Sequence, residues 1–355
     1  MAEQKALIAM SGGVDSSVAA YLMQQAGYDC AGGTMLLCDE ALLGYTPTGV
    51  QDAESVANRL GMPFYAFPQT EDFKKLVVNA FIKSYELGDT PNPCIECNKH
   101  LKFSAFLNRA IALGYDCIAT GHYAQIQKDP ATGRYLLYRA ADRAKDQSYF
   151  LAGLNQHQLS HTRFPLGGLS KEQVRQIAQE QGFITAKKRD SQDICFIPDG
   201  DYKAFMERYT GKQYPAGVFL DTSGKVVGRH AGAVGYTLGQ RKGLGIAMGE
   251  PVYVCSKDME KNTVTVGSDA HLYRKALLAD SWNFLPFAEL NAPIRVHAKV
   301  RYRHTEQPAT VYPMENGYAK VEFDEPQRAI TTGQAVVLYD KDMVIGSGTI
   351  RQVLP

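Results

Sequence analysis

The residues best suited to chemistry form one short run near the start of the chain, Ala9-Met-Ser-Gly-Gly-Val-Asp-Ser16. The run overlaps an apolar stretch, Ala6–Met10, that predicts a buried strand, and it precedes Ser17–Gly27, which predicts a helix closed by a glycine. A strand, a glycine turn and a helix N-terminus bring backbone N–H groups together, and the helix dipole favours negative charge there. The run therefore predicts a site for an anion such as phosphate.

Each residue type in this run suits a phosphate group. Gly12 and Gly13 have no side chain that would block a close phosphate, and the carboxylate of Asp15 can bind a Mg²⁺ ion that bridges phosphate oxygens. Further hydroxyl donors are Ser11, Ser16 and Ser17. The alternative interpretation is an ordinary strand-to-helix turn with a serine cap. The full pattern Ser-Gly-Gly-x-Asp-Ser lacks the Gly-Lys-Ser/Thr of a P-loop and resembles the loop of ATP pyrophosphatases, which cleave ATP between the α and β phosphates and adenylylate a substrate.

The second set of reactive residues consists of cysteines. Cys94 and Cys97 form a Cys-x-x-Cys pair within Asp89–Asn98, where two prolines and two asparagines predict a loop that leaves a helix. A lone Cys-x-x-Cys is typical of zinc, iron–sulfur or dithiol redox sites, and no second pair completes a four-cysteine zinc site. Cys195 lies in Asp190–Pro198, where the first pattern of the chain ends, and its predicted loop placement favours a functional role.

The remaining cysteines favour a structural interpretation. They lie in or near apolar strands and are predicted to be small buried hydrophobic residues. They are Cys30, Cys38, Cys117 and Cys255. Seven cysteines in a chain of this composition indicate thiol chemistry or metal binding rather than a disulfide framework.

Before Gly200, apolar strand-like runs alternate with amphipathic helix-like runs, which predicts an α/β fold with a parallel sheet. Besides the first strand, we predict a second strand that ends with Thr34–Leu37, a third over Pro63–Phe67 and a fourth over Asp116–Thr120. The predicted helices are Asp52–Leu60, Glu71–Leu87, Phe103–Leu113 and one that is capped by Ser170 with Gln173 and ends before Gly182. Gln125–Tyr138 predicts a hairpin that turns at Asp129–Gly133.

After Gly200 the pattern becomes rich in β-strands. A short helix near Tyr202–Tyr209 precedes glycine-rich sequence and a predicted hairpin within Pro251–Val266. In Ile294–Tyr302 apolar residues alternate with basic ones, which predicts a strand with one basic face, and residues 269–355 predict a small antiparallel β-barrel. We therefore expect a catalytic domain of the ATP-pyrophosphatase (adenine-nucleotide α-hydrolase-like) type over residues 1–199, a central β domain over 200–268 and a barrel over 269–355.

Composition restricts the class of protein. The chain has 355 residues, 45% of them hydrophobic, and a formal net charge of +1. No apolar run approaches the ~20 residues of a membrane span, and the N-terminus lacks a signal-peptide pattern, so we expect a cytoplasmic protein without a membrane partner. A nucleic-acid partner would have to be bound by a local basic surface. Candidates are Arg295–Arg303 and Lys187–Arg189, each of which is also consistent with a solvated surface.

Six motifs, in order along nearly the whole chain, resemble those of the tRNA-specific 2-thiouridylases. They are Ser-Gly-Gly-Val-Asp-Ser, Thr-Pro-Asn-Pro-x-x-x-Cys-Asn-Lys, Ala-Thr-Gly-His-Tyr, Lys-Asp-Gln-Ser-Tyr-Phe-Leu, Ser-Gln-Asp-Ile-Cys-Phe and Gly-Gln-Arg-Lys-Gly-Leu-Gly. The resemblance implies a three-domain enzyme that uses ATP and Mg²⁺ to thiolate the wobble uridine of tRNAs for lysine, glutamate and glutamine. It also implies a persulfide donor, either a cysteine desulfurase or a sulfur-relay protein.

The resemblance also implies roles for individual residues. Cys97 matches the catalytic nucleophile and Cys195 the cysteine that carries a persulfide. ATP binding is implied for Ala9, Met10, Ser11, Gly12, Gly13, Val14, Asp15, Ser16, Met35 and Gly121. Contacts with tRNA are implied for Asn92, Pro93, His122, Lys145, Asp146, Gln147, Arg301, Tyr302 and Gln334.

The implied chemistry has two stages. Adenylylation turns the C2 oxygen of uridine, a poor leaving group, into part of AMP, which leaves easily. A persulfide on Cys195 supplies sulfur, Cys97 attacks its inner sulfur and closes a disulfide, and an external reductant resets the pair. A uridine in a tRNA loop must leave its stack to reach such a pocket.

One departure from the family leaves a second mechanism open. Many relatives have an aspartate where this chain has Cys94, so the acid–base role given to that aspartate does not transfer. The thiols of Cys94, Cys97 and Cys195 are an alternative set of ligands for a [4Fe–4S] cluster, whose open iron would carry the sulfide.

Three functions of other classes compete with thiolation. A small-molecule ATP-dependent ligase of the same nucleotide fold would share residues 9–16 but would not need Cys97 and Cys195. A non-enzymatic RNA-binding module would use the barrel but leaves the phosphate loop unexplained. A zinc protein is distinguished by metal analysis.

Overall fold

The computed structural model describes residues 4–43, 49–188 and 194–354. Its strands are β1 Lys5–Ala9, β2 Asp29–Leu36, β3 Phe64–Pro68, β4 Cys117–Thr120, β5 Ala124–Lys128, β6 Tyr135–Arg139, β7 Thr162–Arg163, β8 Gly217–Leu220, β9 Val226–His230, β10 Tyr253–Asp258, β11 Thr263–Gly267, β12 Tyr273–Phe284, β13 Ile294–Lys299, β14 Gln307–Pro313, β15 Ala319–Arg328, β16 Ala335–Asp340 and β17 Met343–Leu354.

The helices of the described residues lie mostly in the first part of the chain. They are α1 Val14–Gln25, α2 Glu40–Leu43, α3 Gly49–Arg59, α4 Thr70–Phe73, α5 Asn79–Glu86, α6 Pro93–Cys97, α7 Phe106–Ala112, α8 Ser148–Leu151, α9 Gln156–Ser160, α10 Lys171–Glu180 and α11 Tyr202–Thr210. Segments with π-helical hydrogen bonding, Lys74–Val78 and Asn98–Ala105, join α4 to α5 and α6 to α7. None of the described helices is both long and apolar enough to cross a membrane.

The predicted parallel sheet is confirmed. Its strand order is β3-β2-β1-β4-β7, and every neighbouring pair is parallel. The order reverses between β1 and β4, and in open α/β sheets ligands bind beyond the carboxyl ends of the strands at such a switch point. The loop after β1 and the residue after β4, Gly121, both lie there.

Helices cover both faces of this sheet. On one face, Val18 of α1, Val56 of α3 and Val174 of α10 belong to one fully buried cluster. On the other face, Phe106 of α7 packs with Leu137 of β6 in a second cluster. Burial on both faces explains why β1 and β4 read as continuous apolar runs in the sequence. The predicted capping box of α10 is also confirmed, with Ser170 and Gln173 bonded reciprocally.

The predicted β domains are confirmed as well. A four-stranded sheet has the order β10-β11-β8-β9. The last six strands follow the order β12-β15-β14-β13-β16-β17, and pairing of β17 with β12, for example Ala279 opposite Ile350, closes them into an antiparallel barrel. The boundaries proposed at 199/200 and 268/269 stay predictions.

The β5–β6 hairpin is confirmed, but its position was not foreseen. Met343 of β17 pairs with Tyr138 of β6, so the hairpin of the first domain extends the barrel sheet. Side chains reinforce this connection, because Asn283 donates hydrogen bonds to the carbonyl oxygens of Ala152 and Leu154, each at 2.9 Å. The α/β domain and the barrel are therefore joined by backbone pairing and by side chains.

Candidate functional site

The turn between β1 and α1 requires a glycine near its centre. Gly12 has a φ of +71°, and a Cβ atom there would lie 2.2 Å from the carbonyl oxygen of Gly49. Only glycine adopts this backbone conformation readily and also lacks the Cβ atom that would clash there. The approach of Gly49, the first residue of α3, closes one side of the turn.

Two of the three predicted hydroxyl donors reach the site. The Ser16 hydroxyl donates to the carbonyl oxygen of Gly13 at 3.1 Å and accepts the Ser11 N–H at 3.2 Å, while the two hydroxyls lie 3.4 Å apart. The prediction for Ser17 is wrong. Its side chain is fully buried, and its hydroxyl donates to Gly13 at 2.9 Å beside Thr185 at 3.0 Å. The cause is helical geometry: α1 begins at Val14, so its first turn directs Ser17 into the core.

Asp15 is part of a charged cluster that the sequence did not reveal. The Lys171 ammonium donates to both carboxylate oxygens, at 2.7 and 2.8 Å, and the Tyr123 hydroxyl donates at 2.8 Å. Lys171 is the first residue of α10 and is only 9% exposed. In the sequence, Lys171 is marked only by its position after the capping residue Ser170. Its ion pair with Asp15 brings a cation to the phosphate loop.

A second lysine also reaches the loop. Lys188 Nζ donates to the carbonyl oxygen of Gly12 at 2.9 Å and to the carboxylate of Asp52 at 2.6 Å. The sequence offered Lys187–Arg189 as a nucleic-acid surface or a solvated turn, and the structure instead puts Lys188 beside the predicted phosphate site. Arg189 lies outside the described residues.

Gly121, after β4, lies directly against the start of α1. A Cβ atom on Gly121 would lie 2.7 Å from the backbone carbon of Asp15 and 2.7 Å from the backbone nitrogen of Ser16. No rotamer change relieves a clash with backbone atoms. Gly121 is therefore needed for the first turn of α1 to keep its place.

We expect Gly121→Ala to weaken ATP binding by about 10-fold to 100-fold, since overpacking of this kind costs about 1–3 kcal/mol and displaces the phosphate loop. Calorimetric titration with ATP measures the effect. Gly168→Ala is the matched control, because a Cβ atom there meets nothing within 4 Å. Equal affinities of the Gly121→Ala and wild-type proteins would contradict this role of the close approach.

The prediction that Cys94 and Cys97 lie in a loop is wrong. They lie in α6, Pro93–Cys97, which continues without a break to Ala112. Pro93 is in the first turn of the helix, where a missing N–H costs nothing and the fixed φ is already helical. The proline that predicted irregular structure thus begins a helix.

The helix separates the two thiols. Cys94, Asn98 and Lys102 follow one another at intervals of four, share one helix face and line the same cleft. Cys97 lies on the neighbouring face and is 7% exposed. Cys94 is the thiol of this pair that faces solvent.

Cys195 has an unexpected neighbour. Cys38, a residue just beyond the carboxyl end of β2, packs on the same apolar cluster as Ile194 and Phe196, which flank Cys195 in the chain. Cys38 was predicted to be a buried hydrophobic residue; it is half-buried and packs against that cluster. Residues 190–193 of the segment that contains Cys195 lie outside the described residues.

The surrounding protein keeps the candidate thiols protonated. Burial raises the pKa of Cys97 to about 12 and also raises that of Cys94, and the Lys102 ammonium opposes both shifts. For Cys195, the hydrogen bond with Cys38 and then burial raise the pKa well above its usual range, again against Lys102. Cys94 and Cys195 are exposed residues, so their pKa shifts come from the protein atoms packed around each thiol. Lys102 is the cation that favours a thiolate here.

One cleft of about 870 Å³, here called the loop–cysteine cleft, unites most of the candidate residues. It is lined by Ser11, Gly12, Gly13, Val14, Asp15, Ser16, Asn92, Pro93, Cys94, His122, Lys145, Gln147, Tyr302 and Gln334. The candidates outside its lining are Ala9, Met10, Met35, Cys97, Gly121, Asp146, Cys195 and Arg301. Its walls therefore come from the phosphate loop, the start of α6 and the barrel.

His122 lines the cleft as a neutral imidazole. Burial, and secondarily the charge of Lys102, lower its pKa well below the usual range. Its Nδ1 lies 2.7 Å from the Thr120 hydroxyl, and its ring packs against Phe103 at 5.6 Å. A neutral imidazole offers hydrogen bonds to an uncharged ligand without adding charge.

Asp146 and Arg301 have structural partners. Asp146 accepts the N–H of Ala140 at 3.0 Å, which fixes the turn before α8. Arg301 donates to the carbonyl oxygen of Leu238 at 3.0 Å and to the Thr331 hydroxyl, so it links the barrel to the segment between β9 and β10. Their contacts with RNA stay predictions.

The basic strand face is less free than its sequence suggested. The strand β13 ends at Lys299, before Arg301. Arg295 makes two hydrogen bonds to Asp324, each 2.8 Å long. Lys299 Nζ lies over the ring of Tyr302 at 5.5 Å, and burial lowers its pKa. A phosphate would have to compete for these cations.

No three His, Cys, Asp or Glu side chains among residues 4–43, 49–188 and 194–354 are arranged to hold a metal ion. Cys94, Cys97 and Cys195 all belong to that set. A [4Fe–4S] cluster is wider than a single ion and holds its three cysteine ligands farther apart, so that alternative stays a prediction.

Three family models match consecutive parts of the chain. They are described as "tRNA methyl transferase HUP domain" for residues 4–199, "tRNA methyl transferase PRC-barrel domain" for residues 203–268 and "Aminomethyltransferase beta-barrel domain" for residues 274–350.

Full-length relatives share nearly half of their residues with the chain. The "tRNA-specific 2-thiouridylase MnmA" of Clostridioides difficile is 46% identical, covering 99% of both chains, and that of Moorella thermoacetica is 48% identical, covering 98% of this chain and 99% of the other. Among solved structures, a 4-thiouridine synthetase–RNA complex with bound ATP is 17% identical with a TM-score of 0.36, covering 55% of this chain and 45% of that one.

Proposed function

The chain belongs to the tRNA-specific 2-thiouridylase family, and we propose that it catalyses the ATP-dependent 2-thiolation of the wobble uridine in tRNAs for lysine, glutamate and glutamine. In this reaction ATP activates the C2 oxygen as an adenylate, pyrophosphate and AMP leave, and sulfur replaces oxygen.

The observation that carries this proposal is the shared cleft. Ser11–Ser16 and Cys94 line one space of about 870 Å³. Cys97 ends the helix that begins beside Cys94, and Ile194, which precedes Cys195, also lines the cleft. Ligand pockets typically measure about 300–1,000 Å³. A small-molecule ligase would need the phosphate loop but has no use for thiols next to it.

The chain's own residues can perform the activation step. The backbone N–H groups at the start of α1 and the hydroxyls of Ser11 and Ser16 can bind phosphate oxygens. Lys171 and Lys188 bring positive charge to the same loop. Mg²⁺ entering with ATP would be held by Asp15 and would neutralise charge on the phosphates. Asp15 must then exchange Lys171 for the ion, and the ammonium of Lys171 would turn toward the pyrophosphate.

Sulfur transfer follows on the same carbon. The outer sulfur of a persulfide on Cys195 attacks C2, the C–O bond to AMP breaks and the persulfide proton leaves. A protein thiolate then attacks the Cys195 sulfur, so the S–S bond to the tRNA breaks and a protein disulfide forms. Oxidation of the two cysteines to a disulfide supplies the two electrons with which the 2-thio group leaves. An external dithiol then reduces the disulfide. The persulfide comes from a cysteine desulfurase or a sulfur-relay protein.

The far wall of the cleft suits an extruded base. The rings of Phe150 and Tyr302 lie 4.4 Å apart and both line the cleft, which offers stacking surface. Asn98 donates its amide N–H to the carbonyl oxygen of Phe150 at 3.1 Å, while its Oδ1 is buried without a hydrogen-bond partner.

The test is a reconstituted reaction. The full chain is incubated with ATP, Mg²⁺, a cysteine desulfurase with cysteine, a reductant and an unmodified lysine tRNA transcript. We expect 2-thiouridine at the wobble position, with pyrophosphate and AMP released in equal amounts. A transcript with cytidine at that position is the control and should give no thiolated product. Pyrophosphate release that does not depend on tRNA would contradict the proposal and support the ligase.

A further inference from the structure

A second cavity lies where the α/β domain, the central sheet and the barrel meet. It measures about 270 Å³ and is here called the junction cavity. Its walls include Thr90 from the segment before α6, Lys257 of β10 and Thr332 from the segment before β16. The described residues that line it include three basic side chains, Lys257, His271 and Arg274, but no aspartate or glutamate. A concave site with basic groups and no carboxylate attracts anions.

The ammonium of Lys257 is the least satisfied charge at this cavity. It is shielded from water and has no hydrogen-bond partner in the described part of the chain. Its Nζ lies 5.9 Å from the centre of the Tyr85 ring, near the ~6 Å limit of a cation–π contact. Burial lowers the pKa of Lys257 to about 8 and the charge of Asp89 opposes this shift, so the group is still mostly charged at pH 7. A buried ammonium without hydrogen-bond acceptors is costly, and an anion within its reach would remove that cost.

Two further side chains of the junction cavity carry donors for an anion. The Thr90 hydroxyl is buried and, like the Lys257 ammonium, has no hydrogen-bond partner among the described residues. Arg274 donates through Nη1 to the carbonyl oxygens of His271 at 3.1 Å and Tyr273 at 2.7 Å, which holds the guanidinium in place and keeps its other nitrogens for a ligand. The oxygens of a phosphate group accept hydrogen bonds from several directions, so they suit a set of cationic and hydroxyl donors.

We propose that the junction cavity binds a phosphate group through Lys257, Arg274 and the Thr90 hydroxyl. The flexible stem of Lys257 lets its ammonium turn from the Tyr85 ring into the cavity, where phosphate oxygens accept its hydrogen bonds. The phosphate is either a free ion or one phosphate of a bound RNA backbone, since both present the same oxygens to these donors. Such a site goes beyond the proposed thiolation and does not depend on it.

An occupied junction cavity would also fix the segment that leads into α6. Thr90 lines both this cavity and the loop–cysteine cleft and lies three residues before Pro93, the first residue of α6. Its N–H donates to the carbonyl oxygen of Thr332 at 3.0 Å, and its own carbonyl oxygen accepts the amide of Gln334 at 2.7 Å. A phosphate on the Thr90 hydroxyl adds a side-chain contact to these two backbone contacts.

The first test separates the junction cavity from the phosphate loop. The full chain is saturated with α,β-methylene-ATP, which occupies the phosphate loop and resists cleavage between its α and β phosphates. It is then titrated calorimetrically with sodium phosphate at pH 7 and constant ionic strength. For a site that takes the free ion, we expect one phosphate per chain. Lys257→Met should weaken this binding by at least about tenfold, because a charge-assisted hydrogen bond is lost.

Two variants keep this test decisive. Lys320→Met is the matched control, because Lys320 Nζ lies 5.8 Å from the centre of the Tyr312 ring, as Lys257 does at Tyr85, but Lys320 does not line the junction cavity. It should bind phosphate as wild type does. Thr90→Val keeps the side-chain shape and removes the hydroxyl, so it should weaken binding even if the Lys257→Met protein does not fold. Phosphate binding by a folded Lys257→Met protein with wild-type affinity would overturn the proposal.

The second test identifies the source of the phosphate. Binding of an unmodified lysine tRNA transcript to the wild-type, Lys257→Met and Lys320→Met proteins is measured at several KCl concentrations in phosphate-free buffer. A backbone phosphate in the cavity predicts that only Lys257→Met weakens binding, by about tenfold, and lowers the slope of log affinity against log salt by about one. A free ion predicts wild-type tRNA binding by Lys257→Met together with the phosphate site of the first test. Wild-type tRNA binding by Lys257→Met without saturable phosphate binding in the first test would overturn the proposal, and neither measurement depends on thiolation.

Discussion

Replacement of Cys195 by serine is expected to abolish formation of 2-thiouridine, with a loss of at least about 10³-fold, because serine cannot form the S–S bond that carries the sulfur. Pyrophosphate release should continue, since activation of the C2 oxygen precedes sulfur transfer. Nucleoside mass spectrometry of the tRNA and a pyrophosphate assay measure the two steps separately.

The Cys255→Ser variant is the control for the loss of a thiol as such. It removes a half-buried cysteine whose Sγ only approaches the carbonyl oxygen of Tyr253, at 3.3 Å. Thiolation by this control should match wild type. Substantial 2-thiouridine from the Cys195→Ser protein would remove Cys195 from the mechanism.

Asp15→Ala is expected to reduce tRNA-dependent pyrophosphate release by about 10²-fold or more. The substitution removes the proposed ligand of Mg²⁺, and it also leaves the Lys171 ammonium, which is only 9% exposed, without its carboxylate. The double variant Asp15→Ala/Lys171→Met separates these effects. It should recover thermal stability because no buried charge is left unpaired, but it should not recover activity.

An exposed ion pair provides the control for loss of a carboxylate. Asp324 binds Arg295 on the outside of the barrel with both side chains at least half exposed, and Asp324→Ala should change pyrophosphate release by less than about twofold. Near-normal release by the Asp15→Ala protein would refute the assignment of the phosphate loop.

The parts of the site that could be predicted from the sequence are local. The phosphate loop, its strand and its helix lie within about one βα unit, so spacing along the chain reflects spacing in the fold. Local rules also produced the error at Cys94 and Cys97. Pro93 predicts a break when it is taken as an interior residue, but it is compatible with a helix that begins there.

The missed residues come from distant parts of the chain. Lys171 meets Asp15 across 156 positions and Lys188 meets Gly12 across 176. Cys38 lies near the Cys195 segment because the chain after β2 packs on the same cluster as Ile194 and Phe196. No periodicity or motif connects such pairs, since sheet order and core packing, which act after local structure is set, bring them together.

The pairing of Tyr138 with Met343 has a consequence for how such a chain can be divided. Cutting before the barrel would expose the open edge of β6 and leave buried groups such as the Tyr149 hydroxyl, which donates to the Ala335 carbonyl oxygen at 2.9 Å, without a partner. Unprotected strand edges recruit other chains into aggregates. A barrel exchanged between two related proteins would therefore fold stably only if the matching β5–β6 hairpin were exchanged with it.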